Sequence, residues 1–257
     1  MTIYIRGRTT DLSYEIDKSY ERKFLKGKTK GDDMEILIDT ANVEKIRKYN
    51  EILNLTGVTC NPTIISKEKG DFWKILEEIR SVIGGKQLHV QVTAQDYEGM
   101  LREADVIANR LGAENTYIKV PVNETGLHVI RTLKEKGFKV TGTAVYMTQQ
   151  AMLASSVGAD YVAPYFNRMN NNNVRAGEAI AEMADLFRMH GTGTKILAAS
   201  FHNTQQIMDA FLAGADACTA DPAYFSAMVE NPLIADAVRG FDDDWTSVYG
   251  DRRIYEL

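Results

Sequence analysis

Lys119 is the residue whose type and surroundings most favour chemistry. It lies between Tyr117-Ile118 and Val120 in an apolar segment, so its amino group belongs to a stretch of sequence that is typical of a buried strand. An ammonium group buried without a partner is costly, and the usual relief is loss of its proton, which leaves a nucleophilic amine. The alternative from the residues alone is a structural ion pair with Asp39. The sequence therefore predicts either an amine nucleophile or a buried ion pair.

Other polar residues stand where further apolar runs end, and they supply carboxylate, amide and hydroxyl groups. They are Asp39, Thr59, Asn61, Gln91, Thr143, Tyr165, Arg168 and Ser200. Asp39 could move protons or hold the lysine, and its structural alternative is an N-cap for the next helix. The hydroxyl groups of Thr143 and Tyr165 and the amide of Gln91 could orient one water molecule. Taken singly, each of these is more often a satisfied core polar group.

Arg168 and Ser200 are the candidates for holding an anion. The guanidinium group of Arg168 suits a phosphate, and Ser200 stands at the entrance to a helix that we expect to begin near Asn203. A surface salt bridge is the structural alternative for Arg168. The net charge of −5 means that an anionic substrate needs such a local anchor. The same charge argues against a general nucleic-acid binder, which needs a basic field.

Eight apolar runs in the chain are typical of buried parallel strands. They span 35–38, 57–60, 88–92, 116–120, 138–142, 160–164, 195–199 and 216–219. Each is followed by a helical pattern, which predicts an α/β protein with a closed (β/α)₈ barrel. The carboxyl ends of the strands form the active-site face of such a barrel. An open doubly wound sheet is the alternative, although residues 39–42 lack the glycine-rich turn with which that fold binds a nucleotide.

The two ends of the chain differ from this pattern. Residues 1–33 carry eight basic and six acidic residues with no clear period, so we expect an N-terminal extension, native or vector-derived. The barrel domain is predicted over 34–230. Residues 231–257 are predicted to form a C-terminal helical arm, which either closes the barrel base or packs on a neighbouring subunit.

Several classes of protein are disfavoured by composition. Cys60 and Cys218 lie far apart, which suits reduced thiols and a cytoplasmic location. No apolar run approaches the roughly 18 residues that a spanning helix needs, so no membrane insertion is expected. The four histidines lack ligand spacing, so no metal site is expected.

Six motifs, taken together, resemble the transaldolase family, most closely its small fructose-6-phosphate aldolase-like branch. They lie at 39–42 (DTAN), 57–65 (GVTCNPTII), 118–122 (IKVPV), 142–146 (GTAVY), 163–168 (APYFNR) and 197–201 (LAASF). The likeness extends from residue 34 to about residue 249, with every motif in family order. It implies a barrel enzyme that uses no cofactor and forms a Schiff base between Lys119 and the C2 carbonyl of a ketose. The protonated imine then accepts electrons during cleavage between C3 and C4.

The resemblance also implies roles for the other site residues. Asp39 and Asn61 would hold substrate hydroxyl groups, with Thr59 beside them. Gln91, Thr143 and Tyr165 would hold the catalytic water, and Arg168 and Ser200 would face the phosphate. It implies sugar-phosphate substrates and a pentameric or decameric homo-oligomer in which neighbouring subunits exchange the arm.

Three positions favour the aldolase branch. True transaldolases of the family resemble one another in having Glu at the position of Gln91, Phe at that of Tyr165 and often Arg at that of His202. This chain has Gln91, Tyr165 and His202. A phenol can participate in protonating an enamine, which ends the reaction as cleavage. We therefore expect a class I aldolase acting on fructose 6-phosphate, with a transaldolase as the alternative and a catalytically idle barrel as a remote one. His89 and Cys60 depart from the branch pattern and bear on substrate preference.

Overall fold

The computed structural model describes residues 34–257, so the predicted N-terminal extension lies outside the described residues. Eight parallel strands close into a barrel in chain order. They are β1 (Glu35–Asp39), β2 (Gly57–Thr59), β3 (Gln87–Gln91), β4 (Thr116–Pro121), β5 (Lys139–Val145), β6 (Tyr161–Pro164), β7 (Lys195–Ala198) and β8 (Ala217–Ala220). β1 pairs with β8, with Leu37 opposite Thr219, which closes the cylinder. The predicted (β/α)₈ barrel is confirmed, and the open sheet is excluded.

The fifth strand is longer than the sequence pattern predicts. The apolar run ends near residue 142, whereas β5 continues to Val145. The register of β5 against β6 shifts between Gly142 and Val145, and Ala144 has a φ angle of 57°. A bulge of this kind keeps the strand paired although its side-chain alternation is broken, which is why the pattern missed it.

Helices connect the strands and cover the outside of the barrel. They are α1 (Val43–Ile52), α2 (Pro62–Lys67), α3 (Phe72–Ile83), α4 (Tyr97–Leu111), α5 (Glu124–Glu135), α6 (Thr148–Ser156), α7 (Phe166–Asn171), α8 (Ala176–His190), α9 (Thr204–Leu212), α10 (Pro222–Val229) and α11 (Pro232–Tyr249). Asn or Asp side chains cap most of them by accepting from a first-turn N–H group. Asn42 caps α1 in this way, accepting from Lys45 N at 3.0 Å. The alternative role of Asp39 as an N-cap is therefore wrong.

The strands divide the core into two parts. Outward side chains such as Ile118 and Val120 pack beneath the helices in the large apolar core. Inward side chains fill the barrel, where Tyr117 and Leu197 belong to a smaller cluster. Alternation along a strand thus sends Tyr117 and Lys119 to the interior and their neighbours to the helix layer.

The C-terminal segment continues as α11 after the eighth strand–helix unit. Asn231 caps it, with its side chain accepting from Leu233 N at 2.9 Å. None of its residues is buried, and Phe241 is 71% exposed. The boundary predicted at residue 230 stays a prediction. Within residues 34–257, no helix has both the length and the apolar character needed to cross a bilayer.

Candidate active site

A cavity of about 560 Å³ opens at the carboxyl ends of the strands. Seven of the nine predicted site residues line it, namely Asp39, Asn61, Gln91, Lys119, Tyr165, Arg168 and Ser200. The remaining two, Thr59 and Thr143, are fully buried and hydrogen-bonded to lining residues. All nine therefore belong to one cluster, which the closed barrel assembles from seven strands and the segments that follow them.

Lys119 occupies the wall of this cavity on β4. Its side chain is held almost entirely within the protein, since the residue is 5% exposed. Nζ donates a hydrogen bond to the backbone carbonyl oxygen of Cys60 at 3.0 Å. Among residues 34–257, no carboxylate lies within salt-bridge distance of Nζ, so the predicted alternative of a closed ion pair with Asp39 is not formed. A buried amine that borders a cavity and touches a neutral carbonyl group is placed to react with a ligand.

Asp39 ends β1 beside the lysine and is the carboxylate of the site. Thr59 Oγ1 donates to Asp39 Oδ1 at 2.6 Å, and Thr59 Oγ1 lies 2.7 Å from Thr219 Oγ1. Because the hydroxyl hydrogen of Thr59 is already donated to the carboxylate, the hydroxyl group of Thr219 donates to that of Thr59. Burial raises the pKa of Asp39, while the charge of Lys119 and the Thr59 hydrogen bond act in the opposite direction. The environment therefore favours a proton on this carboxyl group more than water does.

Two hydroxyl groups lie close together near the carboxyl ends of β5 and β6. Thr143 Oγ1 and Tyr165 Oη lie 2.9 Å apart. Gln91 is the register partner of Lys119 on β3, so its amide stands at the same level of the barrel. These three groups have the donor and acceptor capacity to bind one water beside the amine.

Arg168 and Ser200 lie at the mouth of the cavity. The Arg168 guanidinium group is 4.9 Å from the centre of the Tyr165 ring and donates to Tyr146 Oη at 3.4 Å. Among the residues that the structure describes, Arg168 forms no salt bridge, so its charge is available to a ligand. Ser200 has a φ angle of 60°, and α9 begins at Thr204, as expected for the helix after it.

Sequence reasoning missed several residues of the cavity wall. They include Lys67, Tyr146, Thr219, Asp221 and Tyr224. Thr219 had a signal, because it ends an apolar run just as Thr59 does. Lys67 had none, since its position at the end of α2 looks like an ordinary exposed helix residue.

Cys60 and His89, the two residues that depart from the branch pattern, are both fully buried. Burial raises the pKa of the Cys60 thiol to about 12, which makes it a poor nucleophile. His89 is fully buried in the barrel beneath the cavity. Within residues 34–257, no three His, Cys, Asp or Glu side chains cluster in a way that could hold a metal ion.

Comparison with known proteins agrees with this fold. Residues 36–251 match the model of the family described as Transaldolase/Fructose-6-phosphate aldolase. The chain is 42% identical to a Streptococcus pneumoniae protein named probable fructose-6-phosphate aldolase, over 86% of this chain and all of that one. It is 35% identical to a probable transaldolase of Agathobacter rectalis, over 85% of this chain and all of that one. The fold and the cavity define a (β/α)₈ barrel with a buried lysine at the carboxyl ends of its strands. The chain belongs to the transaldolase/fructose-6-phosphate aldolase family of enzymes.

Among solved structures, the similarity extends to distant barrels. Thiamine phosphate pyrophosphorylase from Pyrococcus furiosus superimposes with a TM-score of 0.54 at 15% identity, covering 74% of this chain and 85% of that one. At such identity the likeness concerns the fold alone.

Proposed function

We propose that this protein is a class I aldolase that cleaves and forms fructose 6-phosphate from dihydroxyacetone and glyceraldehyde 3-phosphate. The observation that carries the proposal is the amino group of Lys119, 5% exposed on the wall of a cavity of about 560 Å³. The relative that is 42% identical and named probable fructose-6-phosphate aldolase supports the same substrate.

The reaction begins at the lysine. The Lys119 amine attacks the C2 carbonyl group of the ketose, water leaves, and a protonated imine forms. The C3–C4 bond then breaks as the C4 hydroxyl loses its proton, and the electron pair moves into the imine to give an enamine. Protonation of the enamine and addition of water release dihydroxyacetone and restore the amine. No cofactor is required, because the protonated imine is the electron sink.

The other side chains have separate parts in this scheme. Asp39 accepts the hydroxyl proton during bond cleavage and, with Asn61 and the buried Thr59 behind it, holds the donor hydroxyl groups. The water bound by Gln91, Thr143 and Tyr165 returns a proton to the enamine.

Cations at the mouth would hold the phosphate group. Arg168 has no carboxylate partner among the described residues, and Ser200 adds a hydroxyl group beside it. Lys67 lines the same cavity from α2 and adds a second positive charge. In a protein of net charge −5, this local field is what attracts a phosphorylated substrate.

A transaldolase is the second candidate, since a relative that is 35% identical is named probable transaldolase. In that case the enamine attacks an aldehyde acceptor instead of taking a proton. The phenol of Tyr165, 2.9 Å from Thr143 Oγ1, favours the aldolase, because it adds an acidic hydroxyl group at the site of protonation.

Borohydride reduction tests the proposal directly. The protein is incubated with fructose 6-phosphate or dihydroxyacetone, reduced, digested and analysed by mass spectrometry. We expect an adduct on the peptide that contains Lys119, its loss in Lys119→Met, and no change in Lys139→Met, which alters a lysine at the amino end of β5. Lack of an adduct in the unmodified protein would contradict both enzymes and favour the idle barrel.

A second measurement separates the two enzymes. Fructose 6-phosphate is supplied with and without erythrose 4-phosphate, and release of glyceraldehyde 3-phosphate is followed. An aldolase releases it without the acceptor. Release that needs the acceptor would identify a transaldolase.

We also propose a homo-oligomer, pentameric or decameric, in which α11 packs on a neighbouring subunit. The exposed apolar residues of α11 support this over a helix that closes the base of its own barrel, because Leu233 and Phe241 are 72% and 71% exposed. A cytoplasmic location stays a prediction, supported by the free thiols of Cys60 and Cys218.

A further inference from the structure

Tyr146 lines the active-site cavity and has no part in the mechanism proposed above. It follows the last residue of β5 and is half-buried. Its ring meets the ring of Tyr165 edge-on, with the centroids 5.6 Å apart and an interplanar angle of 71°. The Arg168 guanidinium group lies 4.9 Å from the centre of the Tyr165 ring and is hydrogen-bonded to Tyr146. The candidate phosphate-binding arginine therefore contacts both tyrosines.

The hydroxyl group of Tyr146 accepts the hydrogen bond in this contact. Arg168 Nη1 lies 3.4 Å from Tyr146 Oη, and a guanidinium group can only donate, so the contact uses a lone pair of the phenol oxygen. The phenol hydrogen is therefore directed elsewhere. Among residues 34–257, no protein acceptor lies within hydrogen-bond distance of this hydroxyl group, so its hydrogen is left for water or for a ligand in the cavity.

The other two tyrosines that line the cavity have their hydroxyl groups paired within the protein. Tyr224 Oη donates to the carbonyl oxygen of Phe201 at 3.2 Å, and Tyr165 Oη lies 2.9 Å from Thr143 Oγ1. In the part of the chain that the structure describes, neither of these hydroxyl groups is hydrogen-bonded to a cation. Tyr146 thus differs from both in combining a hydrogen that is free for a ligand with direct contact to the arginine.

Gln150 fixes the backbone from which Tyr146 projects. The N–H group of Tyr146 donates to Gln150 Oε1 at 2.8 Å. Gln150 Nε2 donates to the carbonyl oxygens of Val122 at 3.1 Å and Ala144 at 3.4 Å. One amide side chain thus ties the segment after β4 to the bulge of β5 and to Tyr146. Because the backbone of Tyr146 is already held, less entropy is lost when its phenol binds a ligand.

We propose that Tyr146 is a further substrate-binding residue, whose hydroxyl group donates to the phosphate of the substrate beside Arg168. A phosphate has several acceptor oxygens, so one can accept from the guanidinium group while another accepts from the phenol. Because Arg168 donates to Tyr146 Oη, its charge polarises the phenol and strengthens it as a donor. This inference rests on the proposed function, because it takes the phosphate of fructose 6-phosphate and glyceraldehyde 3-phosphate as the ligand.

Tyr146→Phe tests the proposal, since it removes the hydroxyl group and keeps the ring that packs on Tyr165. With dihydroxyacetone as the donor, we expect KM for glyceraldehyde 3-phosphate to rise about tenfold, as for the loss of a hydrogen bond to a charged group, with little change in kcat. The KM for glyceraldehyde, which lacks the phosphate, should stay the same. Tyr97→Phe, away from the cavity, is the matched control. An unchanged KM for glyceraldehyde 3-phosphate, or an equal rise for both aldehydes, would overturn the proposal.

A double-mutant cycle separates direct binding from an effect that passes through the arginine. In an Arg168→Met background, Tyr146→Phe should still lower kcat/KM for glyceraldehyde 3-phosphate by at least about threefold, because the phenol contacts the phosphate itself. If Tyr146→Phe has no further effect in that background, Tyr146 acts only by holding Arg168, and the proposed contact with the phosphate is wrong.

Inorganic phosphate gives a measurement that does not depend on turnover. Its Kd, measured by calorimetry, should rise in Tyr146→Phe by about the same factor as the KM for glyceraldehyde 3-phosphate, and it should be unchanged in Tyr97→Phe. Equal binding of phosphate to Tyr146→Phe and to the unmodified protein, or no binding to the unmodified protein, would contradict the inference.

The two proposals fail in different ways. No adduct on Lys119 after borohydride reduction of the unmodified protein with dihydroxyacetone removes the proposed function. A normal adduct, together with an unchanged KM for glyceraldehyde 3-phosphate in Tyr146→Phe, removes this inference alone.

Discussion

The hydroxyl oxygens of Tyr165 and Thr143 lie 2.9 Å apart at the ends of adjacent strands, and Tyr165 lines the same cavity as Lys119. Thr143 lies within the bulge of β5, where the register of β5 against β6 shifts between Gly142 and Val145. The pair divides its hydrogens so that one hydroxyl group donates to the other and the second hydrogen is free for a bound water. In the proposed mechanism, the return of a proton to the enamine therefore depends on this pair.

Tyr165→Phe should lower the rate of cleavage of fructose 6-phosphate about 100-fold, the usual size of a lost general acid–base group. Transfer to an added aldehyde should fall less, because it needs no proton on the enamine carbon. Tyr97→Phe is the matched control, since Tyr97 Oη lies 2.9 Å from Thr132 Oγ1 away from the cavity. Equal losses of cleavage and transfer in Tyr165→Phe would refute the role of the phenol.

Thr59→Val should move the acid limb of the pH profile of kcat/KM to higher pH. The pKa of Asp39 is already raised by burial, and the Thr59 hydrogen bond is one of the effects that restrain it. Because the ionised carboxylate is needed, activity falls as the pH drops through this pKa, and a higher pKa makes that fall begin earlier. Asp39→Asn should have a low rate, and its pH profile should lack this acid limb. Thr59→Ser keeps the hydroxyl donor, so its acid limb should lie at the same pH as that of the unmodified protein. An unmoved limb in Thr59→Val would exclude Asp39 as the titrating group.

Lys67→Ala should raise KM for fructose 6-phosphate about threefold, as expected for one partly exposed charge near a phosphate, and the effect should shrink at high salt. The KM for dihydroxyacetone, which carries no charge, should stay the same. Lys74→Ala alters an exposed lysine of α3 that does not line the cavity and serves as the control. A change in KM for both substrates would point to a distorted site instead.

Gly126→Ala should lower the free energy of unfolding by about 3 kcal/mol or more, because the added methyl group overlaps backbone. A Cβ at Gly126 would lie 1.8 Å from the carbonyl oxygen of Pro121, the last residue of β4. Gly177→Ala places its methyl group in open space on α8 and should stabilise the fold by about 0.5 kcal/mol. Denaturant unfolding measures both; equal effects would contradict the close packing of α5 on β4.

Phe241→Asp should reduce the particle mass measured by light scattering, because α11 then exposes a charge where the proposed subunit contact needs an apolar ring. Asp243→Ala, two residues further along the helix, is the control and should leave the mass unchanged. If the unmodified protein and both variants have the mass of a monomer, the proposed oligomer is refuted.

Much of the fold follows from local pattern. The eight apolar runs predict the eight strands because parallel strands covered on both faces must be apolar, and this requirement is visible residue by residue. The bulge at Ala144 was not predictable, since a positive φ angle in a non-glycine residue is imposed by neighbours. Lys67 was missed for a similar reason, because only the packing of α2 across the mouth makes it part of the cavity.

The sequence by itself determined which strands form and which polar residues stand at their carboxyl ends, because alternation and apolar runs are properties of the chain alone. Tertiary structure decided the contacts between those ends. The hydrogen bond from Lys119 to the Cys60 carbonyl and the one between His89 and Thr141 join residues on different strands. Such contacts depend on the register and closure of the barrel, which no segment of the chain encodes separately.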